Sequence, residues 1–256
     1  MNLVDTHCHL NFRDAFPDVA ATLHRAKENR VEAVVVVGCD TDTSRYAVEL
    51  ADAHDPVYAV VGWHPNSSAQ YSTTEREAIR ALCDNPKVVA VGEIGLDYYR
   101  EYATKEEQRE CLNDFADLAR EKNLPVVFHC RDAHDDLLDW YESLDDPPRG
   151  VLHCFSGTQE HAVRANSLGL YFGVDGPITY KNADTLRSIV VGLPRDRVLI
   201  ETDAPYLSPH PFRGKPNEPG MVRFVNDALA AVWGVSAEEA AAITTKNAAD
   251  FFGLRL

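Results

Sequence analysis

A rhythm of short apolar runs constrains this 256-residue chain more than any other feature. Each run ends in a polar or glycine-rich loop, an amphipathic stretch follows, and the pattern returns eight times. The runs lie at 3–6, 33–37, 57–61, 88–91, 125–128, 151–152, 170–172 and 198–200. They are short, rich in Val and Ile, and bounded by Gly or Pro, which suits strands buried on both faces. Helical patterns fill the gaps at 16–29, 44–54, 73–85, 105–123, 133–144, 159–168 and 183–192. Strand-then-helix alternation of this length predicts an α/β protein, a single (β/α)8 barrel of the size such barrels commonly have. No linker or low-complexity tract interrupts it, so one domain is expected over residues 1–256. The rhythm breaks at 201–220, where five prolines and two glycines predict a long ordered loop of the kind that usually carries function. Two extra helices are expected after it, at 221–233 and 236–252. Ser236 and Glu239 form a capping-box pattern at the start of the second.

Charge bounds the partners. The formal net charge is −15, from 23 Asp and 17 Glu against 7 Lys and 18 Arg. Such a surface disfavours a broad, non-specific grip on nucleic acid, which normally comes from Lys and Arg. Many Asp, few Lys and a preference for Arg fit a halophilic protein kept soluble in concentrated salt. In molar salt the Debye length is about 3 Å, so the excess carboxylates scarcely repel one another. No run approaches the roughly 18 apolar residues of a membrane helix, and no secretory signal is recognisable. A cytoplasmic protein is therefore expected. The six cysteines show no CxxC spacing and read as small buried thiols rather than a disulfide framework.

In a parallel barrel the chemistry lies at the carboxyl ends of the strands. Those ends carry Asp5-Thr6-His7-Cys8-His9, Gly62-Trp63-His64-Pro65, Gly92-Glu93-Ile94-Gly95-Leu96-Asp97, His129-Cys130-Arg131, His153-Cys154-Phe155-Ser156-Gly157 and Glu201-Thr202-Asp203. Five of the ten histidines thus fall on one rim. His7 and His9, spaced i, i+2 in extended chain, share one side and turn Cys8 to the other. A buried Glu93 is costly unless paired or bound to metal, and its two oxygens can bridge two cations about 3.5–4 Å apart. Its alternative is a salt bridge to Arg131. The residues predict a first metal on His7, His9, Glu93 and Asp203, and a second on Glu93, His129 and His153. Imidazole and carboxylate donors suit Zn²⁺, Mn²⁺, Fe²⁺ or Mg²⁺. One to two divalent ions per chain are expected, with Mg²⁺ or Mn²⁺ for activity.

The motifs DTHCHL at 5–10, GWHP at 62–65, GEIGLDYY at 92–99, FHCRDA at 128–133, HCFSG at 153–157, ETDAPYL at 201–207 and GKPNEP at 214–219 resemble the TatD-type deoxyribonucleases, within the amidohydrolase-like hydrolases. The resemblance spans essentially the full length. It implies a (β/α)8 barrel, a divalent metal site and metal-dependent cleavage of DNA phosphodiesters. Carried over residue by residue, its ligands fall on His7, His9, Glu93, His129, His153 and Asp203. His64 and Arg131 match the family's substrate-side residues. Pro216 stands where many members carry a basic residue.

The expected reaction is 3′-5′ exonucleolytic cleavage of single-stranded or damaged DNA, in DNA repair, by a monomer. Asp203 and Glu93 are the catalytic candidates, with Asp203 both holding metal and accepting a proton from the attacking water. His64 and Arg131 would contact phosphate oxygens; otherwise His64 stacks on Pro65, and Arg131 pairs with Asp97 or Asp132. Tyr98 and Tyr99 would stack a terminal base, and Arg213 and Lys215 on the proline-rich loop would grip the backbone. The rival is a related hydrolase acting on a small-molecule amide, lactone or organophosphate.

Overall fold

Several helices begin where a capping side chain stands in front of their first turn. In the computed structural model, which describes residues 2–256, Asp18 accepts a hydrogen bond from the Ala21 amide at 2.9 Å and starts α1 (Val19–Glu28). That cap moves the start past Phe16, where the apolar pattern alone placed it. Asp40 and Thr43 form a reciprocal capping box at the head of α2 (Thr41–Ala53), earlier than the apolar pattern from Ser44 suggests. Thr104 and Glu107 do the same for α4 (Lys105–Lys122), and Ser236 accepts from the Glu239 amide at 3.1 Å to open α9 (Ala237–Phe252). The remaining helices are α3 (Thr73–Leu82), α5 (His134–Glu142), α6 (Gln159–Ser167), α7 (Asp184–Gly192) and α8 (Val222–Trp233).

Between them run β1 (Leu3–Cys8), β2 (Val31–Val37), β3 (Val57–Val61), β4 (Val88–Asp97), β5 (Val126–Arg131), β6 (Gly150–Leu152), β7 (Tyr171–Val174) and β8 (Val198–Ile200). The strands follow one another in sequence order in an eight-stranded sheet, with helices between them, which is the (β/α)8 topology. Helices α8 and α9 are the expected C-terminal additions. None of the described helices is long and apolar enough to cross a membrane.

The chain divides into two compact units. The first runs to Val36 and resumes from Phe172 to Leu256. In it β1 pairs parallel with β2, β7 pairs with β8, and a parallel bridge joins Cys8 to Ala204 just beyond β8. Its fully buried side chains include Leu3, Phe172 and Phe251. The second unit spans Val37–Tyr171 and holds β3 to β6, paired in parallel order. Ile94, Leu96, Phe115 and Phe128 are wholly buried there. Each such side chain contributes roughly 1.5–3 kcal/mol relative to exposure.

The structure corrects the expected length of β4. It runs not to Val91 but to Asp97, and all ten of its residues are buried. Its register against β5 shifts between Val91 and Ile94, so Gly92 and Glu93 occupy an irregularity that the apolar run does not announce. Gly95 pairs with His129, and a Cβ there would lie 1.9 Å from the His129 carbonyl oxygen. Only glycine lets β4 and β5 approach this closely, which carries the His129 backbone up against the Glu93 strand.

Candidate active site

Each unit carries a group of polar side chains at the ends of its strands. In the first, His7 is the penultimate residue of β1, which ends at Cys8, and His9 lies just beyond the strand. Both are buried, and their rings meet edge to face with centroids 5.1 Å apart. Cys8 turns the other way, its Sγ 3.6 Å from the Val35 carbonyl oxygen, as alternation in extended chain requires. Asp203 faces both imidazoles: its Oδ1 lies 3.4 Å from His9 Nε2 and 3.8 Å from His7 Nε2.

Main-chain geometry fixes this spacing. Asp203 adopts a left-handed φ of 53°, a conformation that Asp tolerates better than most residues. Its N–H donates to the His7 carbonyl at 2.9 Å, and the His9 N–H donates to the Ala204 carbonyl at 2.7 Å. Beneath them, the buried Asp5 carboxylate accepts from the Thr202 N–H at 2.9 Å and from its hydroxyl at 2.7 Å. Burial pushes the Asp5 carboxyl well above the usual range, against the lowering effect of the Thr202 hydrogen bonds. The buried Asn217 amide donates to the Thr202 and Tyr206 carbonyls at 2.8 and 2.6 Å, clamping the proline-rich loop onto the end of β8. Asp5 and Asn217 lay inside quoted motifs, but their roles depend on contacts between distant segments, which spacing does not reveal.

In the second unit Glu93 is the centre. It is 3% exposed, and its Oε1 lies 2.7 Å from His129 Nδ1, 2.7 Å from His153 Nε2 and 3.6 Å from His64 Nε2. Burial alone would lift the carboxyl, but the imidazoles of His153, His64 and His129 hold it well below the usual range. The other ring nitrogen of His129 lies 3.0 Å from Asp97 Oδ2. Burial opposes charge on His129, yet the hydrogen bonds to Asp97 and Glu93 outweigh it and raise the pKa. Asp97 is itself held by the Tyr99 and Arg100 amides at 3.0 Å and by Gln108, which bonds to both its amide and its carbonyl. Against the effect of burial, the hydrogen bond to His129 and then the Arg100 and Tyr99 amides push its carboxyl down to about 2. Asp97 lay on the expected rim as a possible partner of Arg131; its pairing with His129 instead depends on the register of β4 against β5, which the sequence does not show.

His64 has a distinct protonation. Its Nδ1 accepts from the Asn66 N–H at 3.0 Å, so the neutral ring carries its proton on Nε2. That nitrogen faces Glu93 and, at 3.2 Å, His129 Nδ1. Burial and then the neighbouring His129 push the pKa of His64 down to about 3, so the ring is neutral. It offers a donor rather than a lone pair.

The expected substrate contacts lie at the end of β5 and on loops. Arg131 is exposed, with its guanidinium 3.7 Å from the centroid of the Tyr99 ring, while Asp97 is engaged with His129. Tyr99 is 54% exposed. Tyr98 donates its hydroxyl to Asp136 at 2.7 Å, and Lys105 Nζ sits 3.7 Å over its ring. Arg213 and Lys215 are both exposed; Arg213 lies over Tyr180 at 4.2 Å, and Lys215 Nζ is 6.0 Å from the centroid of Phe212. Cys130 is buried, which pushes its thiol up to about 12, and no disulfide joins the six cysteines.

The donor chemistry fits divalent metal. Glu93 Oε1 lies 2.7 Å from both His129 Nδ1 and His153 Nε2, which brings a carboxylate and two imidazoles around one point. The His129 ring is held between the Glu93 and Asp97 carboxylates, at 2.7 and 3.0 Å. The Asp97–His129 pair is the arrangement by which a carboxylate fixes the ring of a metal-binding histidine.

Comparison with known proteins agrees. Residues 4–253 match the family model described as TatD related DNase. A Bacillus subtilis protein named as the uncharacterized metal-dependent hydrolase YabD is 41% identical, with 98% of each chain covered. A Shigella flexneri protein named 3′-5′ ssDNA/RNA exonuclease TatD is 36% identical over 90% of this chain and 91% of its own. The crystal structure of YJJV, a TatD homologue from Escherichia coli, superposes with a TM-score of 0.94 at 34% identity, covering 99% of this chain and 98% of that one. The full-length match in sequence and fold places this chain in the TatD-related DNase family of metal-dependent hydrolases.

Proposed function

We propose that this protein is a 3′-5′ exonuclease that hydrolyses phosphodiesters of single-stranded or damaged DNA. The observation that carries the reading is Glu93, a buried carboxylate ringed by three imidazoles with Asp97 behind one of them. We assign His7, His9, Asp203 and Glu93 to one divalent ion, and Glu93, His129 and His153 to a second. Mg²⁺ or Mn²⁺ is the favoured metal, since carboxylate and imidazole donors accept either. When bound, such ions polarise the scissile phosphoryl group and lower the pKa of water to about 7.

The remaining chemistry belongs to the side chains. Asp203 accepts the proton of the attacking water as the water oxygen bonds to phosphorus, and the P–O3′ bond breaks with the departing O3′ taking a proton from solvent. His64 donates its Nε2 proton as a hydrogen bond to a non-bridging phosphoryl oxygen, which its Nδ1 contact with Asn66 prepares it to do. Arg131 binds a phosphate oxygen from its exposed position, and Arg213 and Lys215 grip the backbone farther out.

The same reading takes residues 1–256 as one catalytic domain, acting as a monomer in the cytoplasm of a cell with a salty interior and serving DNA repair. The net charge of −15 supports weak, end-directed binding and solubility in salt over a long electrostatic footprint. The test is turnover of end-labelled single-stranded DNA with Mg²⁺ or Mn²⁺ at low and molar KCl. Stepwise release of mononucleotides from the 3′ end is expected, with activity kept in molar salt. Absence of cleavage under every metal and salt condition overturns the reading.

A further inference from the structure

Two aromatic side chains stand in the same relation to two of the proposed metal ligands. Phe12 follows His9 by three residues, and its N–H donates to the His9 carbonyl at 3.0 Å. Tyr206 follows Asp203 by three residues, and its N–H donates to the Asp203 carbonyl at 2.8 Å. Each tight turn sets an aromatic ring beside a ligand. The Phe12 ring stacks on His9, with centroids 4.7 Å apart and planes 7° from parallel. Tyr206 stands across both, 6.4 Å from the His9 ring at 66° and 6.3 Å from Phe12 at 72°. The result is an angled aromatic corner over His9.

Tyr206 is 55% exposed, although its backbone is firmly held. Its carbonyl is bonded by the buried Asn217, so both sides of the Tyr206 peptide are fixed. Rigidity matters, because a preorganised ring loses little freedom when a planar ligand stacks on it. The tyrosines first expected to stack a base are otherwise occupied: Lys105 lies over Tyr98, and Arg131 lies over Tyr99.

We infer that Phe12 and Tyr206 form the receptor for the nucleobase of the terminal nucleotide. The inference rests on the exonuclease reading and names its substrate subsite. A phosphodiester reacting beside His9 and Asp203 has its base one sugar away, and the aromatic corner begins at His9 itself. Stacking is tolerant of base identity, because every base offers a π face. The subsite therefore selects for the presence of a terminal base and not for its sequence. Phe12 also positions His9 by covering one face of its imidazole.

The test uses metal-free protein and a single-stranded oligonucleotide whose 3′-terminal base is 2-aminopurine, a probe whose fluorescence falls on stacking. Wild type and Tyr206→Phe quench the terminal probe on binding. Tyr206→Leu, which keeps apolar bulk but has no π face, loses the quench and binds about fivefold or more weakly, the usual cost of one lost base stack. Phe12→Leu serves as the second variant. With metal present, the wild-type preference for a base-bearing over an abasic end collapses toward one in Tyr206→Leu. Full quenching in both leucine variants overturns the inference, as does an equal loss on abasic and base-bearing ends. Failure of the exonuclease reading shows separately, as absence of turnover in the wild-type protein.

Discussion

Asp97 Oδ2 lies 3.0 Å from His129 Nε2, on the side of the ring away from Glu93, whose Oε1 is 2.7 Å from His129 Nδ1. The imidazole is held between two carboxylates, one within the proposed ligand set and one behind it. Removing the rear partner leaves the ligands present but loosely aimed. Asp97→Asn is expected to weaken divalent-metal affinity by about 10–100-fold, with an unchanged circular dichroism spectrum. Calorimetric titration of Mn²⁺ into both proteins checks this, and equal affinities would remove Asp97 from the site.

Glu93→Ala and Asp203→Asn are expected to abolish turnover while the fold stays native. Both residues sit on backbone fixed by strands and main-chain hydrogen bonds, so their side chains are not needed for folding. A chelator should silence the wild type, and added Mg²⁺ or Mn²⁺ should restore it. Near-normal metal-dependent activity in both variants would sink the assignment.

Thr202 donates twice to the buried Asp5 carboxylate. Thr202→Val deletes the hydroxyl donor and leaves an acceptor in a site closed to water. The expected loss is about 1–3 kcal/mol of unfolding free energy, measured in urea. Unchanged stability would mean that the Asp5–Thr202 pair does not fasten β1 to the end of β8.

His134 opens α5, stacked on His161 with centroids 5.0 Å apart. Burial, and then His161, push its pKa down to about 4 from an ordinary 6.5. As pH falls the unfolded chain takes up this proton first, so protonation favours unfolding. The stability contributed by neutral His134 is therefore complete above about pH 6.5 and lost between there and pH 4, up to about 3 kcal/mol. His134→Gln should flatten the pH dependence of metal-free protein stability across that window. A slope identical to wild type contradicts the assignment.

Arg213 is exposed on the proline-rich loop, stacked on Tyr180 at 4.2 Å. Arg213→Ala is expected to raise KM more than it lowers kcat, since a remote grip binds substrate and transition state alike. Equal losses in kcat and kcat/KM would place Arg213 at the reacting phosphate instead.

Strand order and most element positions were legible because apolar runs and caps are local. The run at 57–61 is β3 as observed, and the Ser236–Glu239 pattern does open α9. The end of β4 was not legible. Gly92, Glu93 and Gly95 look like a loop; Gly95 becomes strand by pairing with His129 on β5, and Gly92 and Glu93 lie in the irregularity before it. His64 was legible as a rim residue, but its donor tautomer depends on the Asn66 amide folding back on it.

The sequence by itself determined the (β/α)8 alternation and the chemical types at the strand ends, because hydrophobic period and strand polarity are properties of neighbouring residues. Only the tertiary structure decided which nitrogen of His129 meets Glu93, that Asp97 stands behind it, and that Asp5 and Asn217 fasten the ends of β1 and β8. The reason is physical. Hydrogen bonds reach about 3 Å and depend on direction, so partners far apart in sequence are chosen by the path of the folded backbone.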